Sequence, residues 1–172
     1  AISECHALLA RAEGEPSAMG LLVEMLCAAN PDVPAIAAGE DAALPRRMVQ
    51  PLGMILQELF SNARKHGVAG RALGPVRVEW RLEGREAERV FELEWSEPMA
   101  AGRTGGIVVG SGLGLVRGLA EFEMGGEFRT VCSSGGLLHT LRIPMAAEEG
   151  DRNGGGEVGR QKGRRLWARW VA

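Results

Sequence analysis

The stretch Leu56-Gln57-Glu58-Leu59-Phe60-Ser61-Asn62-Ala63-Arg64-Lys65-His66-Gly67 reads as an apolar helix with an acid, an amide and two basic groups along one flank. Glu58, Asn62 and Lys65 stand at i, i+4 and i+7, so a helix projects them from one side, with His66 beside them. Met48, Val49, Leu52, Ile55, Leu56, Leu59, Phe60 and Ala63 recur at threes and fours and predict a wide buried stripe on the same helix. Polar groups converging beside such a stripe suit a site that holds magnesium and phosphate oxygens while a proton is taken. The spacing also fits a plain solvated face, with Glu58 paired to Lys65.

A second motif bears on that choice. Gly110-Ser111-Gly112-Leu113-Gly114-Leu115 is a glycine-rich turn running into an apolar segment, Val116 to Phe122, that reads as a helix. Gly110, Gly112 and Gly114 let the backbone approach a ligand closely, and free N–H groups at a helix start receive phosphate oxygens. Part of a dinucleotide-binding fingerprint is also present, but Leu115 stands where its third glycine belongs and a poor strand precedes it.

In order and spacing these motifs resemble the GHKL ATPases, and within them the sensor histidine kinases. Leu56 to Gly67 resembles the N box and Gly110 to Leu115 the G2 box, while Trp95-Ser96-Glu97 matches the W-x-E signature of the HWE subfamily. Gly135 to Pro144 resembles the glycine turn and last strand of the same domain, so the resemblance covers roughly 31–145. There are departures: Gln57 replaces the histidine that usually precedes the N-box glutamate, His66 replaces a tyrosine, and Pro98, Met99 and Ala100 follow Glu97 where a glycine-containing turn is usual.

The resemblance implies an α+β, two-layer sandwich of the Bergerat ATP-binding fold, with ATP and Mg²⁺ as ligands. By the same resemblance Asn62 holds magnesium, Lys65 and His66 face the phosphates with Gly110, Gly112, Leu113, Gly114 and Leu115 around them, and Glu58 orients or deprotonates the nucleophile. Glu97 accepts a hydrogen bond from the adenine amino group, or is a solvated strand-end acid. Thr140 supports adenine through water, or is simply a strand former. The acceptor histidine belongs on a helical hairpin. His6, His66 and His139 are the histidines present, and Ala7-Leu8-Leu9-Ala10 beside His6 lacks the polar flank of an acceptor, so His6 reads as structural. The implied activity is transfer of the γ-phosphate of ATP to a histidine outside this chain. Two readings of the same fold stay open: an anti-sigma-factor-type serine kinase and a degenerate nucleotide-binding interaction module.

The chain has 172 residues, 45% of them hydrophobic, enough for one core and scarcely two. A net charge of −2 gives no electrostatic case for nucleic acid or an anionic membrane. Cys5, Cys27 and Cys132 lack metal-like spacing and read as free thiols of a reducing cytoplasm. No apolar run is long enough to cross a bilayer, and Ala1 opens the chain, which reads as a segment of a longer, homodimeric protein. The layout expected is 1–30 as the end of a dimerisation and phosphoacceptor hairpin with its connector, 31–146 as the catalytic domain and 147–172 as a disordered tail. The partners implied are that hairpin domain and a response regulator.

Within the catalytic segment, Pro31 and Pro34 limit 31–37 to a short edge strand, and Pro51 is expected to kink or delay the long helix. Strands are expected over 76–83, 89–95, 127–132 and 137–143, with a mobile lid over 98–110.

Overall fold

The structure, a computed structural model, describes residues 18–40, 42–66, 74–85, 88–98, 111–133, 136–145 and 167–171. Helix α1 (Ala18–Ala29) leads into strand β1 (Ala35–Gly39), and helix α2 (Arg46–His66) crosses over to β2 (Val76–Glu83), which lies parallel to β1. The remaining elements are β3 (Val90–Glu97), α3 (Ser111–Gly118) extended by a π-helical turn over Leu119–Glu123, β4 (Glu127–Ser133), β5 (Gly136–Pro144) and β6 (Trp167–Val171). One six-stranded sheet runs β4-β5-β3-β2-β1-β6, with every neighbour except β1 and β2 antiparallel.

Sequence periodicity explains which faces meet. All eight stripe residues of α2 are buried, and α1 adds Met19, Leu22, Val23 and Leu26 to the same cluster. Along β2 the buried Val78 and Trp80 alternate with exposed Arg77, Glu79 and Arg81, so one face of the sheet takes the helices and the other meets water. β3 is central and contributes Phe91, Leu93 and Trp95 to the helix side. On its outer side Glu92 is also buried, held beneath Arg81 and Arg142. Each large apolar side chain removed from water contributes about 1.5–3 kcal/mol, and the Phe60 ring meets Trp95 edge-on at 4.8 Å, fastening α2 to β3.

Three expectations change. α2 runs unbroken through Pro51. In the second turn of the helix, proline loses a single ladder bond, to the Arg47 carbonyl, which is less disruptive than a loss at mid-helix. β1 is flanked on both sides, by β2 and β6, and is not an edge. Its other neighbour comes from the segment expected to be disordered: 167–171 pairs antiparallel with β1, from Ala35 opposite Val171 to Gly39 opposite Trp167. Tryptophan and valine are strand formers, and this short run takes the ladder bonds of β1 despite the polar, glycine-rich sequence before it. Residues 1–17 of the expected hairpin end, residue Gly67 and the expected lid beyond Pro98 lie outside the described residues.

Candidate functional site

The two sequence motifs meet in space. A Cβ built on Gly112, near the start of α3, would lie 2.9 Å from Glu58 Oε2 and 3.4 Å from Asn62 Oδ1, both on α2. Only glycine therefore lets the α3 backbone pass this close to the two polar ends. Glu58 and Asn62 are half-buried and Lys65 is exposed. Among the described residues none of the three is engaged by another side chain: Glu58 is not paired with Lys65, and the Asn62 amide has no partner. The outer sheet face differs, since there Arg81, Glu83, Glu92, Glu94 and Arg142 form a paired network. An uncommitted acid, amide and cation thus stand beside a glycine-lined helix start, the kind of place where backbone N–H groups can receive an anion.

Glu97 is the other acid that the motifs single out, and it stands at the end of β3. β3 continues two residues past the expected end at Trp95, because Glu97 pairs with Leu137 of β5. It is only 6% exposed, and its Oε1 accepts a hydrogen bond of 2.8 Å from the indole Nε1 of Trp95, two residues back on the same face. It is thus not a solvated strand end. Burial pushes its carboxyl above the usual carboxylate range, and the Trp95 N–H works against that rise. Gly136 is needed here too: with φ of +142°, it lies so close to the Glu97 carbonyl that a Cβ would sit 2.2 Å from that oxygen. A cavity of about 510 Å³ opens beside Glu97 around the strand ends, lined by Arg77, Ser96, Pro98, Gly136, Leu137 and Leu138 among others; it reaches onto the outer face of the sheet and, among the described residues, includes none of α2 or α3.

Solved structures share this arrangement of sheet and helices. The histidine kinase domain of the blue-light activated histidine kinase of Erythrobacter litoralis EL346 superposes with a TM-score of 0.51 at 18% identity, covering 73% of this chain and 60% of that one. A structure of the same Erythrobacter kinase that is matched over 42% of its chain gives a TM-score of 0.56 over 76% of this chain, at 15% identity. The Acinetobacter baumannii histidine kinase AdeS gives 0.52 at 16% identity, covering 83% and 76% of the two chains. This chain has the fold of a histidine kinase catalytic domain. By sequence it is similar to a blue-light-activated histidine kinase of Rhizobium johnstonii, 29% identical over 146 residues, which are 85% of this chain. It spans 42% of the length of that curated relative. No protein-family model matches it.

Within this histidine kinase fold the remaining candidates divide. Leu113 is half-buried against the core, whereas Gly114 and Leu115 are exposed on α3. Thr140 does not join the site. In β5 the buried His139, Leu141 and Ile143 face the helices, so Thr140 faces the outer side, between Glu94 of β3 and Arg129 of β4. Leu137 occupies the place assigned to it, beside Glu97. Arg142 carried the signal, because it marks the solvent-facing parity that Thr140 shares. Gly110 and the His66 side chain lie outside the described residues.

His139 is a residue that sequence reasoning set aside. It is opposite Trp95 in the ladder, 2% exposed, stacked on Phe128 at 5.5 Å, and its Nδ1 lies 2.8 Å from the Thr130 hydroxyl. Burial pulls its pKa down to about 4, so it is neutral within the core beside Trp95. Among the described residues no cluster of three His, Cys, Asp or Glu could hold a metal, and no helix is long and apolar enough to cross a membrane.

Proposed function

We propose that this chain is the ATP-binding catalytic domain of a two-component sensor histidine kinase, which moves the γ-phosphate of ATP to a histidine on a separate helical hairpin. The observation that carries the reading is the approach of Gly112 to Glu58 and Asn62. A side chain at 112 would fill the gap that phosphate oxygens and a small ion need. The Asn62 amide oxygen suits magnesium, which takes one or two protein oxygens and completes its shell with phosphate and water. When bound, the ion neutralises charge on the transferring phosphoryl group.

The other residues have separable roles. Lys65 sets a cation toward the phosphates, and N–H groups at the start of α3 donate to their oxygens. Glu58 orients the incoming imidazole and accepts its proton as the nitrogen–phosphorus bond forms and ADP leaves. Glu97 accepts from the adenine amino group, its carboxylate aimed by Trp95. Adenine lies on the helix side of Glu97, beside Leu137, where guanine would present a carbonyl oxygen to the same carboxylate. The similarity to named histidine kinases supports a histidine acceptor, and with it a dimerising phosphoacceptor domain and a response regulator as partners.

Calorimetry with a non-hydrolysable ATP analogue tests the proposal. A saturable, magnesium-dependent heat is expected. No heat at millimolar ligand would leave a fold retained as an interaction module. Supplied with an acceptor hairpin from its parent protein, the chain should give acid-labile label, whereas acid-stable label on serine would favour a serine kinase.

A further inference from the structure

Arg64 has no part in that scheme. It follows the stripe residue Ala63 and, about 200° around the helix from Asn62, leaves α2 on the opposite flank. Its Nε donates to Asp32 Oδ2 at 2.6 Å and its Nη2 donates to Asn30 Oδ1. Asn30 is itself fixed: it is 1% exposed, its Nδ2 donates to the Leu26 carbonyl in the last turn of α1 at 2.7 Å, and its backbone joins Cys27 and Val33. The Arg64 guanidinium also holds the Asp32 carboxyl below its usual range. An exposed ion pair alone is worth little. Here, however, one prong reaches a buried amide that caps a neighbouring helix, so the contact belongs to a network.

The last turn of a helix has carbonyls without intrahelical partners and frays unless something ties it down. In α2 (Arg46–His66) that turn carries Lys65, and Asn62 immediately precedes it. Among the described side chains of residues 61–65, only Arg64 makes a hydrogen bond to another element. We propose that Arg64 is a positioning residue: by clamping the last turn of α2 to the end of α1, it holds Asn62 and Lys65 ready for the phosphates and ties the nucleotide site to the position of α1. This rests on the ATP-binding reading above.

The test compares the parent chain with Arg64→Leu, which keeps helix propensity and an apolar stem, and with Arg64→Lys, which keeps the charge but loses the fork. Binding of MgATP and of adenosine is titrated by NMR, together with hydrogen exchange of the α2 amides. Arg64→Leu is expected to weaken MgATP about five- to tenfold while adenosine stays within about twofold, with faster exchange confined to 62–66. Arg64→Lys should fall between. An Arg64→Leu protein that is folded and binds MgATP like the parent would overturn the proposal, as would equal losses for MgATP and adenosine, which indicate general unfolding. Failure of the parent itself to bind ATP would instead bring down the functional reading, and the clamp's role with it.

Discussion

Gly112→Ala separates fold from function, because the two respond in opposite directions. The new methyl would lie 2.9 Å from Glu58 Oε2, roughly half an ångström inside ordinary van der Waals contact, and against the Asn62 amide as well. What it meets first is the far end of a flexible side chain, so the fold yields by turning Glu58 away. Alanine in place of glycine within a helix is worth up to about 1 kcal/mol. Net stability should therefore stay level or rise, moving the melting temperature by about 2–4 °C at most for a chain of this size. Affinity for MgATP should fall tenfold or more, since both polar groups are displaced. Gly118→Ala is the control: Gly118 has helical φ and ψ of −57° and −48° and open space around its Cβ position. It should gain the same stability and bind normally. Thermal melting and calorimetry read both effects. If Gly112→Ala binds like the parent, the meeting of α2 and α3 at Gly112 is packing and not a site.

Four further outcomes are expected. Glu97→Gln should raise the melting temperature of the ligand-free chain at pH 7, because a carboxyl whose pKa is raised by burial costs the fold stability once ionised, and the amide still accepts from Trp95. The same variant should narrow the preference for ATP over GTP in a competition titration, because its amide also donates. Neutral His139 makes the fold acid-sensitive: the unfolded chain takes up a proton near pH 6.5 and the folded one only near pH 4, so roughly 3 kcal/mol of stability should be lost as pH falls across that window. Urea unfolding at several pH values should show this loss, and His139→Phe should remove most of it. Asn62→Ala should abolish most of the magnesium dependence of ATP binding in calorimetry while leaving the far-UV circular dichroism unchanged.

Where a signal was local, the sequence carried it. The α2 stripe is a repeat within one element, and the alternation at Val76, Val78 and Trp80 oriented β2 without knowledge of its neighbours. Glu58, Asn62 and Gly112 were likewise readable as site candidates from residue type and spacing. What remained hidden depended on pairing between distant segments. Nothing in Trp95-Ser96-Glu97 says that β3 continues to Glu97, because the partner that extends it is Leu137. β6 depends on the ladder of β1, and its composition was masked by the glycine and charge around it. Thr140 departs for a different reason: the inward face of β5 is legible from Leu141, Arg142 and Ile143, and by that parity residue 140 faces the outer side whatever its type.

The most direct measurement is a titration of the isotopically labelled chain with MgATP, followed residue by residue in amide NMR spectra. The central claim is that the nucleotide lies between α2, α3 and the helix-facing end of β3. Shifts should concentrate at Glu58, Asn62, Gly112, Glu97 and Leu137, and those at Asn62 and Gly112 should shrink when magnesium is chelated. Arg81, Glu94 and Arg142, on the outer face, should stay silent. Saturable shifts on that outer face with none at Gly112 and Asn62 would contradict the account.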